Sequence, residues 1–252
     1  ELDELAVLTI DAATGATIGS PTTHIVTITD DDLPPAISFA VATSSAAEGS
    51  GTATIDALLS VPSSLAVSVT VGASGTATAA DYTLTTTTLN FPAGQVTATA
   101  SVTLLTDTTH EGTETVALTL SGPSNATLGT PSIHTLSITD DDPEPVVEFT
   151  ITNQTVLESA GTVSVGITLT PASGIAAVIP FSVSGTATNG TDFSISASPL
   201  TIPAGVTSAT LTVTVTPDAI DELTESLSVS LDTPTGATVG TNTTHTITIT
   251  DD

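Results

Sequence analysis

One ending occurs three times in this chain, and its spacing limits what the chain can fold into. The three copies read THIVTITDDD, HTLSITDDD and HTITITDD, and they end at Asp32, Asp142 and Asp252. The histidine near the start of each copy stands 110 or 111 positions after the previous one. A repeat of this length indicates a tandem array of similar domains rather than one large core.

Other motifs keep the same step, and they predict the domain boundaries. SGTATAADY is repeated as SGTATNGTDF, FPAG as IPAG, and EGTET as ELTES. Residues 1–32 align without gaps to Glu222–Asp252 plus one Asp. We therefore predict that residues 1–32 are the C-terminal third of one repeat, and that residues 33–142 and 143–252 are complete repeats.

The partial repeat leaves two interpretations open. The last strands of a sandwich expose unpaired edges when their partners are missing, so we expect the chain to be a window on a longer array. In the alternative, a neighbouring molecule supplies the missing strands, as in a strand-exchange polymer.

The apolar residues within a repeat recur with a period of two. Val163, Val165, Ile167 and Leu169 alternate with Thr, Ser and Gly, and the same alternation recurs over about seven short segments per repeat. Turn sequences such as Pro-Ala-Gly and Ser-Gly separate these segments, and no segment has a helical period. The pattern predicts an all-β fold of tandem immunoglobulin-like antiparallel β-sandwiches, with about seven strands each.

Composition excludes several functions. The chain has no Lys or Arg and 27 acidic residues, for a formal net charge of −27. Nucleic acids and anionic membranes are bound mainly through Lys and Arg, so we expect neither partner. We also expect no direct membrane insertion, because no apolar run reaches the roughly 18 residues of a membrane span. No Ser-His-Asp spacing suggests catalysis, and we predict that the protein is not an enzyme.

The acidic residues concentrate in loops and at strand ends, at the same places in both complete repeats. In the first repeat they are Glu48, Asp81, Asp107, Glu111, Glu114, Asp140, Asp141 and Asp142. In the second they are Glu158, Asp192, Asp218, Asp221, Glu222, Glu225, Asp251 and Asp252. Loops at one end of a sandwich converge, and carboxylates within ~4–6 Å repel by a few kcal/mol per pair at an effective dielectric near 20. A crowd of hard oxygen ligands without neutralising side chains favours Ca2+.

The repeated motifs together resemble the Calx-beta domain, which occurs in sodium–calcium exchangers, in integrin β4 and in large bacterial surface proteins. The resemblance rests on AAEGSGT and LESAGT, on the SGTAT pair, on FPAG and IPAG, and on the terminal acidic run. It implies a sandwich that binds Ca2+ at one pole through the carboxylates named above. His110 stands where the second repeat has Asp221, so the first repeat is expected to hold fewer ions. The acids of the partial repeat would form half a site: Glu1, Glu4, Asp30, Asp31 and Asp32.

These observations favour a structural module of an extracellular fibre, filament or surface adhesin stalk, stiffened by Ca2+ at its domain junctions. Expected partners are neighbouring repeats or identical subunits, and glycans on the Asn-x-Thr sequons. The alternatives are a Ca2+-sensing regulatory pair in a transporter or receptor and accessory domains of a secreted hydrolase. The last strand of each repeat carries a histidine on the same face as its apolar residues: His24, His134 and His245. We expect these histidines to pack within the sandwich and not to bind metal.

Overall fold

The computed structural model describes residues 3–252, and nearly all of its regular structure is β-strand. Helix within this described range is limited to two single 3-10 turns, Glu48–Ser50 and Glu158–Ala160. No helix among the described residues has the length and apolar character needed to cross a membrane. Contacts divide the chain into two compact units, Glu1–Leu105 with Glu114–Ile138, and Thr106–Thr113 with Thr139–Asp252.

The first unit contains a β-hairpin and a β-sandwich. The hairpin pairs β1 (Glu4–Thr9) antiparallel with β2 (Thr23–Ile28). The remaining strands are β3 (Ala36–Phe39), β4 (Thr43–Ala47), β5 (Thr52–Leu59), β6 (Val67–Gly75), β7 (Tyr82–Leu84), β8 (Thr88–Phe91), β9 (Thr97–Leu104), β10 (Glu114–Ser124), β11 (Thr127–Leu128) and β12 (Ile133–Thr139). They form two five-stranded sheets, in the orders β4-β12-β10-β6-β8 and β11-β3-β5-β9-β7. Apolar side chains from both sheets share one buried core.

The second unit contains another sandwich. Its strands are β13 (Val146–Phe149), β14 (Asn153–Leu157), β15 (Thr162–Thr170), β16 (Ala177–Ile179), β17 (Phe181–Gly185), β18 (Phe193–Ile195), β19 (Leu200–Ile202), β20 (Ser208–Val215), β21 (Glu225–Leu231), β22 (Thr238–Val239) and β23 (Thr244–Thr250). The sheets have the orders β18-β20-β15-β13-β22, β14-β23-β21-β17 and β16-β19. Their inward side chains again form one buried core. The predicted all-β sandwich class is thus confirmed.

The period-two pattern identifies the buried face of each strand. In β15 the residues Val163, Val165, Ile167 and Leu169 are buried, and the residues between them are not. The strand segments are more numerous than the predicted seven, because several predicted strands are divided into short pieces. Pro180, for example, separates β16 from β17, since proline has no N–H to donate to the strand ladder.

The SGT motif of both repeats is explained by a close backbone contact. Gly75 and Gly185 end β6 and β17 with φ of 140° and 134°. A Cβ would lie 2.0 Å from the Thr115 carbonyl oxygen at Gly75, and 2.1 Å from the Ser226 carbonyl oxygen at Gly185. Only glycine fits this approach, so the motif marks where the strand leaves the sheet.

Glu148 is not an ordinary solvated acid. Its Oε2 accepts hydrogen bonds from the Thr241 N–H at 3.2 Å, the Thr241 hydroxyl at 3.1 Å and the Asn242 N–H at 3.3 Å. The Asn242 and Thr241 donors hold the pKa of Glu148 below its ordinary value. The carboxylate therefore fastens the loop before β23 to β13.

We expect Glu148→Gln to lower the melting temperature at pH 7, because a neutral amide oxygen accepts the three hydrogen bonds more weakly than a carboxylate oxygen. A carboxyl whose pKa is depressed by folding contributes stability above its unfolded-state pKa and loses it as the pH falls through the folded-state pKa. The difference in melting temperature should therefore be largest at neutral pH and disappear in acid, as measured by calorimetry. Asp232→Asn serves as the control, and a difference that does not depend on pH would contradict this account.

Candidate cation-binding site

Three carboxylates of the second unit converge at one end of the sandwich. Asp192 directly precedes β18, Glu225 begins β21, and Glu222 lies in the loop before β21. One oxygen from each of the three lies within 4.8 Å of the others. Glu158 and Asp251 line the same small cleft, whose volume of ≈ 10 Å³ is about that of one water-sized particle.

Local hydrogen bonds hold the loops that carry these acids. Asp192 Oδ2 accepts the Thr188 N–H at 2.6 Å, and the Thr188 carbonyl accepts the Asp192 N–H at 3.0 Å. Glu158 is buried, and its Oε1 accepts the Asp218 N–H at 2.8 Å. Asp218 Oδ1 in turn accepts the Ile220 N–H at 2.7 Å. Backbone N–H groups thus position these acids: Asp192 is held by its own loop, and Glu158 by the loop that carries Asp218.

Burial, together with the convergence of like charges, raises the pKa of two of these carboxyls. Burial is the largest cause for Glu225, followed by the charges of Asp192 and Glu222. Burial is also the largest cause for Glu222, followed by the charge of Asp218. No Lys or Arg exists in the chain to neutralise the cluster. Several carboxylate oxygens around a small cleft are a donor set that suits a hard divalent cation better than Zn2+ or Cu2+.

We expect Glu225→Gln to raise the melting temperature of the second unit in chelator at pH 7, because it removes repulsion from Asp192. Two charges 4 Å apart repel by about 1 kcal/mol in a water-like dielectric, which corresponds to a few degrees in a domain of this size. A carboxyl whose pKa is raised by folding destabilises the folded state above that pKa, and this cost disappears as the pH falls. The increase in melting temperature that Glu225→Gln causes should therefore become smaller in acid.

The matched control for Glu225→Gln is Asp232→Asn, which removes one negative charge from the same unit outside the cluster. Calorimetry in chelator at several pH values measures both variants. An equal gain in the control would show that net charge, rather than crowding at the site, is responsible.

In the first unit, Asp81 and Glu114 lie together. Burial raises the pKa of Asp81, but the N–H and hydroxyl of Thr78, with a hydrogen bond to Glu114, more than offset it and lower the pKa below its ordinary value. The Thr78 hydroxyl donates to Asp81 Oδ2 at 2.8 Å. Asp81 is therefore held ionised in a buried position, which suits a cation ligand.

The acids that follow β12 belong to the second unit, together with residues Thr106–Thr113. Asp140 accepts from His110 Nδ1 at 2.6 Å through Oδ2, and from the Glu111 N–H at 3.1 Å through Oδ1. Burial, followed by the charges of Asp140 and Asp141, raises the pKa of Asp142. Its Oδ2 is buried without a hydrogen-bond partner, and a bound cation would satisfy such an atom.

The predicted ligands have different environments. The structure brings Glu158, Asp192, Glu222, Glu225 and Asp251 around one cleft. Asp252 instead accepts from the Ser159 N–H at 3.2 Å and from its hydroxyl at 2.6 Å. The remaining predicted ligands are the buried Glu48, the half-buried Glu111 and the exposed Asp107, Asp141, Asp221, Glu4, Asp30, Asp31 and Asp32. Glu1 lies outside the described residues. Ligand roles for all of them, and fewer ions in the first repeat, stay predictions.

Two threonines that hold these acids in place were not predicted from the sequence. Thr78 and Thr188 occupy the same place in the SGTAT motif, and each donates its backbone N–H to the following aspartate, Asp81 or Asp192. Their repetition at equal positions was the available signal. It was hidden because Thr is common throughout the chain and suits exposed strand faces.

The fold and the acidic loops define a class of tandem β-sandwich proteins with clustered carboxylates at strand ends. Residues 30–142 and 140–252 each match the sequence model of the Calx-beta domain. This chain therefore belongs to the Calx-beta domain family.

Comparison with solved structures finds similarity to domains of Calx proteins. CBD12 from CALX1.2 is 18% identical, with a TM-score of 0.42, over 85% of this chain and 99% of that chain. The calcium binding domain CBD12 of CALX1.1 is 18% identical, with a TM-score of 0.42, over 84% and 98%. The apo-form Calx CBD1 domain is 26% identical, with a TM-score of 0.41, over 44% and 99%. No curated protein matches the chain.

Proposed function

We propose that this chain is a Ca2+-binding structural module. The observation that carries the proposal is the cluster of Asp192, Glu222 and Glu225, whose oxygens lie within 4.8 Å of one another in a chain without Lys or Arg. Ca2+ accepts six to eight oxygen ligands in flexible geometry, and backbone carbonyls of the same loops can complete such a set. Mg2+ prefers a stricter octahedron and keeps more of its water.

The proposed role of the ion is mechanical. The segment Thr106–Thr113 comes from the first repeat in sequence but belongs to the second compact unit. Its His110 carbonyl accepts the Gly174 N–H at 2.9 Å and the Ser173 hydroxyl at 3.1 Å. A cation bound by Asp140 and Asp142 would add a further constraint on this segment, and Pro143 and Pro145 limit backbone freedom beside it.

From this we infer a non-enzymatic function in an extracellular fibre, filament or adhesin stalk. The partners would be neighbouring repeats of the same chain or identical subunits, with glycans on the exposed sequons. A net charge of −27 disfavours nucleic acid and anionic membranes as partners, because their phosphates repel carboxylates.

Small-angle scattering of the 252-residue chain tests the mechanical role. We expect Ca2+ to reduce the flexibility seen in a normalised Kratky plot and to narrow the distribution of maximum dimensions. The reason is that an ion bound by Asp140 and Asp142 would restrain Thr106–Thr113, the segment of the first repeat that belongs to the second unit. Asp142→Asn should remove most of this response, and Asp232→Asn should keep it.

Identical scattering in Ca2+ and in chelator would contradict the stiffening role. A large Ca2+-driven rearrangement at micromolar free Ca2+ would favour the alternative of a regulatory sensor in a transporter or receptor. Stiffening without rearrangement supports the stalk.

A further inference from the structure

The β1–β2 hairpin exposes apolar residues on both faces. Leu8, Val26 and Ile28 are 57%, 39% and 53% exposed on one face, and Leu5, Val7 and Ile25 are 64%, 60% and 58% exposed on the other. All twelve residues of the two strands are exposed. Within the described residues its sheet has only these two strands. An isolated two-stranded hairpin is marginally stable in water, so this hairpin has the composition of a buried element without its cover.

Each complete repeat contains the same hairpin in the same register. Leu8 pairs with His24 in the first hairpin, as Leu118 pairs with His134 and Val229 pairs with His245. In the complete repeats these residues are buried: Leu118, His134, Val229 and His245 each have 0% exposure. The inward face of the β1–β2 hairpin, defined by Ala6, Leu8, Ile10, His24, Val26 and Ile28, is therefore a core face.

The complete repeats show what covers this face. Their hairpins are flanked on both sides, by β4 and β6 in the first and by β14 and β17 in the second. The buried histidine has fixed partners in both copies: Nδ1 lies 2.8 Å from the carbonyl oxygen of Val41 or Ile151, and the ring lies against Phe39 or Phe149 at 5.8 or 5.7 Å. The structural packing predicted for the histidines is thus seen for these two, whereas His24 is exposed.

We propose that the β1–β2 hairpin is a docking element whose occupant is the remainder of a third Calx-beta sandwich, equivalent to β3–β9 of the first complete repeat. The occupant must supply a parallel strand beside β2, an antiparallel strand beside β1, an opposing apolar sheet, and a carbonyl with an aromatic ring for His24. In the second complete repeat a parallel strand (β14) and an antiparallel strand (β17) flank the hairpin, and both belong to the segment that precedes it. The occupant is therefore taken to be a segment of this kind. It does not depend on cation binding.

A fusion tests the proposal with the full chain. Residues 143–221, which precede the equivalent hairpin in the second repeat, are placed directly before Glu1. We expect hydrogen exchange of the amides in β1 and β2 to slow by roughly 100-fold or more, because these amides move from an isolated hairpin into a cooperative sandwich. The ring of His24 should acquire the nitrogen chemical shifts of His134 and His245.

Two adjacent residues of the hairpin provide a matched control. Leu8 faces inward and Val7 outward, and their exposures are similar at 57% and 60%. In the fusion, Leu8→Asp should abolish the protection and the His24 shift change, whereas Val7→Asp should keep both. The proposal would be overturned if fusion does not slow the exchange, or if both variants abolish the slowing. It would also be overturned if the unfused chain associates through its hairpins and both variants weaken that association equally.

Discussion

Ca2+ is expected to raise the melting temperature of the second unit by roughly 10 °C or more over its value in chelator. An ion present at 100 times its dissociation constant stabilises the folded state by about 2.7 kcal/mol when it does not bind the unfolded chain. For domains of about 100 residues each kcal/mol corresponds to roughly 4–8 °C. The physical source is the relief of repulsion among Asp192, Glu222 and Glu225, which have no other counter-charge.

Calorimetry with free Ca2+ buffered at several concentrations measures this rise. Asp192→Asn should remove most of it in the second unit, because the substitution takes away a ligand that the Thr188 N–H holds in place. Asp232→Asn should leave it intact, and Mg2+ should reproduce only part of it. Equal melting temperatures in Ca2+ and chelator, or equal losses in the two variants, would refute the site.

Leu118→Ala is expected to destabilise the first unit by about 2–5 kcal/mol, whereas Leu8→Ala should change its stability by less than about 0.5 kcal/mol. The two leucines hold the same position in two copies of one hairpin. Leu118 is fully buried, so truncation leaves a cavity in a close-packed core. Leu8 is 57% exposed, and truncation there creates no cavity.

Urea titration measures the free energy of unfolding of the two variants, and hydrogen exchange shows which strands lose stability in each. Amides of β5 and β9, which pair within the same sandwich, should lose protection in Leu118→Ala and keep it in Leu8→Ala. Comparable losses in both variants would mean that the β1–β2 hairpin is already packed against a core in solution.

The strands were predictable because apolar and polar side chains alternate along each of them, so that one face is apolar and the other polar. Val163 to Leu169 could be assigned to a buried face from the sequence, and β15 buries these residues. The short segments were not predictable, since they arise where a proline or a close backbone approach interrupts a ladder, as at Pro180 and Gly75. Such interruptions depend on the partner strand, which lies far away in sequence.

The candidate site was predictable only as a set of residue types. Repetition of acids at equal positions indicated a role for Asp192, Glu222 and Glu225, but not that three of their oxygens lie within 4.8 Å of one another. The same repetition gave no role to Glu148, although its Oε2 accepts three hydrogen bonds from the loop before β23. Position in a loop does not reveal which backbone N–H groups another loop presents.

The sequence by itself determined the repeat, the all-β sandwich and the concentration of carboxylates in loops, because periodicity and charge are local properties of a chain. Tertiary structure alone decided which carboxylates share a cleft, because loops that are distant in sequence meet only after the sheets close. It also decided that hairpins at equivalent positions of the repeats have different environments. Leu118 and His134 lie in a core while Leu8 and His24 face solvent, since burial depends on what covers a face and not on the face itself.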